Sequence, residues 1–335
     1  MELLTAQPEG SVDAVVIGAG IIGLSSAVSL AEAGLRVRVD SAVPPGKSTS
    51  FAAGAVWDPY LVQPHERVAG WARTTLRELT RIAGQGPHTG VRIRAGSQQS
   101  RLPCDLPYWA EAVSARWCEP RELKDGFVMG WPYQAPVADM GVYLDHLVRR
   151  LTDVGGRMRL HTYRSLAEAA DEAPVVVNCS GAGARTLVPD PDVRPVQGHL
   201  VIVENPGIDS FFCDDTPGTT EYTYIYPHGP TVALGGSQKP DEWSTAPDPE
   251  VVRVIIERCA AVEPALRDAR VVGCRVGLRP TRREVCLRED SVAVGRLLHN
   301  YGHGGAGFSL SWGCAEEITA MVLGEGSQEA TISPS

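Results

Sequence analysis

Two glycine-rich segments at opposite ends of the chain have the composition of turns that hold a ligand. The first, Gly18-Ala19-Gly20-Ile21-Ile22-Gly23, follows a short apolar run and precedes a helical pattern. The second, residues 299–315, reads HNYGHGGAGFSLSWGCA and carries five glycines among aromatic residues and two histidines. Glycine at this density costs backbone entropy on folding, so the pattern indicates that something approaches the main chain closely.

The first segment has the GxGxxG spacing of a dinucleotide-binding turn. Gly18, Gly20 and Gly23 come between a predicted strand and a predicted helix, whose amino end can face a pyrophosphate. Asp40 follows about twenty residues after Gly18, at the end of the next predicted strand, where an acid reaches ribose hydroxyls. A tight turn beside a solvated aspartate is the alternative interpretation, and the motif alone does not distinguish FAD from NAD.

Local patterns place this turn in a βαβ unit. Residues 12–17 form an apolar run typical of a buried strand, and residues 24–31 carry an apolar helical face. The helix is expected to end at Gly34, and residues 35–40 alternate as a second strand. Residues 175–184 repeat the pattern of a buried strand followed by a glycine turn. A cofactor contacted by such distant segments favours an extended, permanently bound FAD over an exchangeable nicotinamide.

Other segments interrupt the βαβ pattern and predict a second region. Helical spacing over 68–82 is followed by short β-like runs between 90 and 134, and further strand-like runs lie between 199 and 237. The sequence therefore predicts an α/β fold in two domains. The first is a Rossmann-like FAD-binding domain of discontinuous segments, 1–60, 141–188 and 270–335, and the second is an α+β substrate-binding domain built on antiparallel sheet, 61–140 and 189–269.

The composition narrows the class of partner. The formal net charge of −9 disfavours nucleic acid and anionic membranes, because both are bound by clustered Lys and Arg. No apolar run approaches the roughly 20 residues that span a bilayer, and neither end has the pattern of a signal peptide. We therefore expect a cytoplasmic protein whose partner is a small molecule. A homo-oligomer is compatible with the sequence.

The cysteines and histidines predict no metal site. The eight cysteines form no CxxC pair and no zinc-ribbon spacing, so free thiols in a reducing compartment are expected. His299 and His303 are four residues apart, but the glycines nearby disfavour the helix that this spacing would need. No third ligand is evident.

Three further segments resemble the D-amino acid oxidase family, which includes D-aspartate oxidase. They are YIYP at 224–227 with LGG at 234–236, GLRP at 277–280 followed by Arg282, and the glycine segment 299–315. AAGAVWDPY at 52–60, VNCSG at 177–181 and the first glycine turn extend the resemblance, in order, along nearly the whole chain.

The resemblance implies how a substrate is held. It assigns Arg279 to the substrate carboxylate, a role that suits the planar donors of a guanidinium, and it adds the hydroxyl of Tyr224 to the same group. It assigns the carbonyl of Gly305 to the substrate amine. Without the resemblance, a surface ion pair for Arg279 and a core aromatic role for Tyr224 remain alternatives.

The resemblance also implies the cofactor contacts. Hydroxyls of residues 48 and 49 would lie near the pyrophosphate, the backbone of 53 and 54 near the flavin, and Tyr163 over the adenine. The full set is Gly18, Gly20, Ile21, Ile22, Gly23, Asp40, Ser48, Thr49, Ala53, Gly54, Tyr163, Ser180, Arg279, Gly304, Gly305, Ala306, Gly307, Phe308 and Ser309.

The implied reaction is oxidation of a D-amino acid by hydride transfer from the α-carbon to FAD, with oxygen as acceptor. Neutral side chains are expected, and basic ones are compatible. Thr220 replaces a tyrosine of the mammalian lid, with Tyr222 two residues later. Ser237-Gln238 replaces the arginine that D-aspartate oxidases carry after LGG, although Arg282 and Arg283 keep an acidic substrate open.

No side chain is assigned as a general base. Asp58 lies beside the expected pocket without that role, so alignment of the substrate is expected to carry catalysis. The alternatives are a D-aspartate oxidase, a glycine or sarcosine oxidase, a nicotinamide dehydrogenase and a flavin-binding protein without catalytic activity.

Overall fold

The structure of the chain is a computed structural model that describes residues 11–60, 62–219, 222–291 and 295–324. Within these residues, thirteen strands lie in one mixed sheet. In chain order they are β1 (Ala14–Ile17), β2 (Val37–Ser41), β3 (Val91–Ser100), β4 (Met129–Ala138), β5 (Arg157–Leu160), β6 (Val175–Asn178), β7 (Arg194–Glu204), β8 (Phe211–Asp214), β9 (Tyr224–Pro227), β10 (Thr231–Gly235), β11 (Lys239–Pro240), β12 (Val271–Asp290) and β13 (Arg296–His303). The helices are α1 (Ile21–Glu32), α2 (His65–Ala83), α3 (Met140–Asp153), α4 (Leu166–Ala170), α5 (Ala184–Leu187), α6 (Pro249–Val262) and α7 (Gly307–Leu323).

Five parallel strands form one end of the sheet, in the order β13-β6-β1-β2-β5. β1 is buried along its whole length because its two faces enter different clusters. Val16 packs in the cluster that contains α1, whereas Val15 packs in the cluster that contains Ala169 of α4. Burial on both faces is what a parallel strand between helices requires, and it explains the continuous apolar run. The predicted βαβ unit is confirmed.

The other end of the sheet is mainly antiparallel, in the order β4-β3-β8-β9-β10-β7-β12. The β3–β8 pair is the parallel exception in this part. The short β11 pairs with β7 outside this order. The antiparallel strands predicted at 199–204, 222–227 and 231–237 are present, and the last two are shorter than predicted, as β9 and β10.

One long strand, β12, connects the two parts of the sheet. It pairs with β7 from Val271 to Thr281 and with β13 from Thr281 to Asp290. β12 lies in the segment 270–335 predicted for the cofactor domain, and β7 lies in the segment 189–269 predicted for the substrate domain. Backbone hydrogen bonds therefore join the two predicted domains. The division into a cofactor domain and a substrate domain stays a prediction.

The helices beside the parallel strands pack closely on one another. α7 contacts both α1 and α2, and α3 contacts α1. Gly313 of α7 lies directly against the backbone of Trp71 of α2, where a β-carbon would overlap it. In the described part of the chain, none of these helices combines the length and the apolar character needed to cross a bilayer.

Candidate active site

A cleft of about 370 Å³ opens at the carboxyl ends of β1, β6 and β13. The glycine turn after β1, the loop 47–60, the turn after β6 and residues 303–308 line it on one side. Tyr224 and Tyr226 of β9 and Arg279 of β12 line it on the other. The carboxyl edge of parallel strands is the usual position for a ligand in an α/β sheet.

The glycine turn after β1 has the conformation that the motif predicts. Gly18 has a φ of +110°, and a β-carbon there would lie 2.5 Å from the carbonyl oxygen of Cys179. A β-carbon on Gly23 would overlap the carbonyl of Gly18, so this glycine permits close packing of α1 on the turn and does not line the cleft. The amino end of α1 therefore opens toward the cleft.

Two serine hydroxyls hold this turn to the neighbouring loops. The amide of Ala19 donates to Oγ of Ser41 at 3.2 Å, and the amide of Ile21 donates to Oγ of Ser50 at 2.9 Å. Ser48 donates to the carbonyl of Pro45, so its hydroxyl is used locally although the residue lines the cleft. These contacts fix the first turn of a helix whose amino end suits an anion.

Asp40, the residue expected at the ribose, is fully buried and does not line the cleft. Its carboxylate accepts hydrogen bonds from Arg38 at 3.0 Å, Arg159 at 2.8 Å and the hydroxyl of Tyr163 at 2.6 Å. Burial acts to raise the pKa of this carboxyl, but the three hydrogen bonds hold it below its ordinary value. Tyr163 also lies outside the cleft lining. Cofactor contacts by Asp40 and Tyr163 stay predictions that require these hydrogen bonds to be exchanged.

Most of the other predicted cofactor residues come together in the cleft. Those that line it are Gly18, Gly20, Ile21, Ile22, Ser48, Thr49, Ala53, Gly54, Ser180, Arg279, Gly304, Gly305, Gly307 and Phe308. Ala306 is fully buried beside the cleft. Ser309 does not line the cleft; its Oγ accepts a hydrogen bond from the amide of Asp58 at 2.8 Å.

Arg279, the predicted carboxylate ligand, is half-buried in the cleft wall. One guanidinium nitrogen donates to the carbonyl of Ser237 at 3.0 Å. The guanidinium lies on the backbone of β7 at Gly198, where a β-carbon would be 2.6 Å from Nη2. Among the described residues, no acidic side chain forms an ion pair with Arg279, so its charge is available to an anionic ligand in the cleft that it lines.

Tyr224 lies next to Arg279 on β9. Its ring covers Gly235 and Gly236, where a β-carbon at Gly236 would be 2.6 Å from the ring. It also stacks on Tyr226 with ring centroids 4.7 Å apart. Burial raises the pKa of Tyr224, and the nearby Arg279 opposes that effect. The hydroxyl therefore remains a hydrogen-bond donor at neutral pH.

Gly305 exposes its backbone to the cleft beside Arg279. It is exposed, it lines the cleft, and a β-carbon there would lie 3.5 Å from Cδ of Arg279. The hydroxyl of Tyr60 occupies the adjoining space, close enough that the same β-carbon would overlap it. Burial raises the pKa of Tyr60 to about 12. The structure thus brings together Arg279, Tyr224 and Gly305, and it adds Tyr60.

Three buried polar atoms in the cleft wall have no hydrogen-bond partner within the described residues. They are Oγ of Ser180, Oδ1 of Asn300 and Nε2 of His303. Burial lowers the pKa of His303 to about 3, so its imidazole is neutral. Unpaired buried polar atoms beside a glycine turn fit a long polar ligand that would supply their partners. The residues present therefore suit the predicted dinucleotide.

Several expectations about the substrate end change in the structure. Arg282 forms an ion pair with Asp190 at 3.0 Å and does not line the cleft, so it is not placed to bind an acidic substrate. Arg283 is likewise outside the lining. Tyr222 does line the cleft, whereas Thr220 lies outside the described residues.

Sequence reasoning missed Tyr60 and Asp215 as cleft residues. Tyr60 stands in the AAGAVWDPY segment that carried the resemblance, so that segment held the signal. Asp215 follows β8 in a stretch without a motif, and only the folded sheet brings it to the cleft beside Asp58.

Comparison with known proteins identifies the family. A family model described as FAD dependent oxidoreductase matches residues 13–321. A D-amino-acid oxidase from Rubrobacter xylanophilus is 46% identical over 92% of this chain and 95% of its own length. Another from Streptomyces coelicolor is 43% identical over 92% of this chain and 96% of its own.

Solved structures agree on the fold. A glycine oxidase from Bacillus cereus superposes with a TM-score of 0.77 at 17% identity, covering 97% of this chain and 100% of that one. Because the family model spans most of the chain and the relatives match over nearly their whole length, this chain belongs to the family of FAD-dependent oxidoreductases that includes the D-amino-acid oxidases.

Proposed function

We propose that this protein catalyses the oxidative deamination of D-amino acids with FAD as its bound cofactor. A D-amino acid, oxygen and water would give a 2-oxo acid, ammonia and hydrogen peroxide. The observation that carries the proposal is the meeting of Arg279, Tyr224 and Gly305 in a cleft that also contains the glycine turn of α1. The similarity to two D-amino-acid oxidases supports it.

The cofactor would be held by groups from both ends of the chain. The amino end of α1 at Gly20–Ile22 suits the pyrophosphate, and the backbone of 304–308 suits the flavin. Ser180, Asn300 and His303 would find partners for their unpaired atoms. FAD, when bound, accepts a hydride from the substrate α-carbon and passes the electrons to oxygen.

Three groups of the chain would orient the substrate. The free donors of Arg279 pair with both oxygens of the substrate carboxylate, and the hydroxyl of Tyr224 donates to the same group. The carbonyl of Gly305 accepts a hydrogen bond from the substrate amine. With carboxylate and amine fixed, only one enantiomer turns its α-hydrogen toward the flavin.

The hydroxyls next to these groups are poor proton acceptors. Burial raises the pKa of Tyr60 to about 12 and also raises that of Tyr224. Both therefore stay protonated at neutral pH and donate hydrogen bonds. The site would act by positioning the substrate, which can supply a large part of a rate enhancement without proton abstraction from carbon.

The decisive experiment is anaerobic reduction of the flavin. Purified protein should be yellow, and D-alanine added without oxygen should bleach the visible flavin band, whereas L-alanine should leave it unchanged. Readmitting oxygen should restore the band and release hydrogen peroxide.

A wider substrate panel separates the alternatives. Bleaching by sarcosine and glycine in preference to D-alanine would point to a glycine or sarcosine oxidase, and preference for D-aspartate to a D-aspartate oxidase. A yellow protein that none of these amines bleaches would be a flavin-binding protein, and the proposal would be wrong.

A further inference from the structure

Two carboxylates share the cleft with Arg279. Asp58 lies in the loop before Tyr60, and Asp215 follows β8 directly; both line the cleft. Asp58 is 8% exposed and accepts a hydrogen bond from Gln98 of β3, the strand that pairs with β8. The amide of Asp215 donates to the carbonyl of the next residue of β3, Gln99, at 2.8 Å, and Asp215 raises the pKa of Asp58. Two acids so close together in a buried wall are costly unless something compensates their charge.

The protein itself supplies no cation to these acids. Every Arg, Lys and His of the chain belongs to the described residues, and none of them forms an ion pair with Asp58 or Asp215 there. The adjacent Asp214 differs, since Arg101 pairs with it at 3.2 Å. Asp214 therefore has a cationic partner, whereas Asp215 has none among the described residues.

A neutral amide fixes Asp58 in place. Nε2 of Gln98 donates to Oδ2 of Asp58 at 2.7 Å, while Oε1 of Gln98 accepts from Nε1 of Trp131 at 3.0 Å. The contact with Trp131 determines which end of the amide faces Asp58. Within the described residues, the carboxyl group of Asp58 thus has a neutral hydrogen-bond partner and no cationic one.

An unpaired hydroxyl lies on the same face of the sheet as Gln98. Tyr133 is 6% exposed, and its hydroxyl has no hydrogen-bond partner among the described residues. It stands two residues after Trp131 on β4 and so on the same face as the Trp131–Gln98–Asp58 contacts, although it does not itself line the cleft. Burial raises the pKa of Tyr133, and Asp58 raises it further. A buried hydroxyl without a partner on this face agrees with a ligand that is absent here.

The acids line the same cleft as Arg279, and Tyr60 and Tyr222 line it too. Among the described residues, neither acid forms an ion pair with Arg279. A substrate whose carboxylate binds Arg279 would therefore have its side chain in a cleft that also contains the acid pair.

We propose that Asp58 and Asp215 select D-amino acids whose side chains end in a cation, such as D-lysine or D-ornithine. This inference rests on the proposed function, and it narrows the substrate class from D-amino acids in general to basic ones. The side-chain ammonium would supply donors to both acids, and it would favour the form in which both are ionised.

The test compares ligands that differ only in the terminal charge. The FAD-loaded enzyme is assayed with D-lysine and with D-norleucine, and calorimetry measures binding of 6-aminohexanoate and of hexanoate, which cannot be oxidised at an α-amine. The wild type should prefer the cationic member of each pair by about 10- to 100-fold, the size that hydrogen bonds to a buried charge support. Asp58→Asn with Asp215→Asn should reduce both ratios to near one while D-norleucine is still oxidised.

Asp214→Asn is the matched control. It removes a carboxylate next to Asp215 that is already paired with Arg101 and does not line the cleft, so both ratios should stay as in the wild type. Flavin content of each variant reports whether it has folded.

The outcomes separate this inference from the proposed function. Oxidation of D-alanine and D-norleucine without preference for D-lysine or 6-aminohexanoate would overturn the selectivity and leave the reaction intact. Tight binding of 6-aminohexanoate by a protein whose flavin no D-amino acid reduces would overturn the reaction and leave the acid pair as a cation site.

Discussion

Single residues give the cleft both a cation and two acids. Arg279 is the cation, held by Ser237 and the backbone of β7, and Asp58 and Asp215 are the acids. Among the described residues, no ion pair joins Arg279 to either acid. A zwitterion with a second cation matches this arrangement better than any molecule with one charge.

Replacing Arg279 should weaken substrate use while the protein stays yellow. Arg279→Ala leaves the substrate carboxylate without its planar pair of donors, and we expect kcat/KM for D-amino acids to fall about 100-fold or more, mainly through KM. Arg279→Lys keeps the charge and loses the paired donor geometry, so its kcat/KM should lie between those of the wild type and Arg279→Ala. Steady-state kinetics and the visible spectrum measure both effects.

Unchanged kinetics in Arg279→Ala would remove this residue from its proposed role. Loss of the yellow colour together with activity would show instead that the guanidinium supports the cofactor.

The preference for a cationic side chain should depend on pH. Burial and then Asp215 raise the pKa of Asp58 to about 8, and burial and then Asp214 raise that of Asp215 to about 6. A carboxyl is neutral below its pKa and negative above it, so the D-lysine to D-norleucine ratio of kcat/KM should rise from pH 5 to pH 9. The lysine ammonium, with a pKa of about 10.4, stays charged over this range.

The other ionisable groups around the acid pair do not titrate in that window. Burial raises the pKa of each neighbouring thiol and phenol, namely Tyr60, Cys104, Tyr108, Tyr133, Cys213, Tyr222 and Tyr226. Both substrates carry an α-amine and reduce the same flavin, so the pH dependence of these two groups cancels in the ratio of their kcat/KM values. A ratio that stays flat, or falls, as pH increases would mean that the two acids do not contact the side chain.

At the level of elements, glycines on neighbouring strands leave the space in which Arg279 and Tyr224 are held. The guanidinium of Arg279 lies on Gly198 of β7, and the ring of Tyr224 lies on Gly235 of β10. β7 pairs with β10 and with β12, so the sheet register sets the distance between the two side chains. A side chain at either glycine would enter the space that the functional group occupies.

Gly198→Ala should therefore displace Arg279. The new β-carbon would lie 2.6 Å from Nη2, and we expect KM for D-amino acids to rise about 10-fold or more with flavin content unchanged. Gly273→Ala on β12 is the control, because a β-carbon there meets no atom within 4 Å and its KM should match the wild type. Equal KM values for the two variants would show that Arg279 tolerates movement or has another role.

Local elements were predictable because their signals are local. The β1-turn-α1 unit, the helices at 65–83 and 140–153 and the closing helix each carry their own apolar period and glycine positions. The identity of Arg279 and Tyr224 came from short segments that resemble a family. The surroundings of these two side chains could not be predicted from those segments, because Gly198 and Gly235 lie on other strands.

Long-range contacts explain which features of the site the sequence patterns could not predict. Asp40 has the motif spacing of a ribose ligand, but Arg159 of β5 binds its carboxylate across 119 residues of sequence. Asp58 and Asp215 likewise meet only because β3 pairs with β8, which places Gln98 beside one acid and the end of β8 beside the other. No pattern within either segment encodes such a pairing.

Over the whole molecule, the cleft is assembled from segments that are far apart in sequence. The turn at 18–22 comes first, the loop at 47–60 and the turn at 180–183 follow, and residues 303–308 complete it near the other end. β12 joins the parallel and antiparallel parts in one hydrogen-bonded sheet. A cofactor in this cleft would therefore contact segments that otherwise meet mainly through the sheet.

Bound FAD should stabilise the entire fold rather than one segment. A ligand that binds only the native state adds about 2.7 kcal/mol at 100 times its Kd, which raises Tm by roughly 4 °C for a chain of this size, because its unfolding entropy is about 0.7 kcal/mol per kelvin. Removing FAD should lower Tm, and adding it back should restore Tm in proportion to the logarithm of its concentration, as read by far-ultraviolet circular dichroism. Gly18→Ala places a β-carbon 2.5 Å from the carbonyl of Cys179 at a φ of +110°, so this variant should lose the FAD-dependent rise. If FAD raised Tm equally in Gly18→Ala, the cofactor would bind elsewhere than the turn before α1.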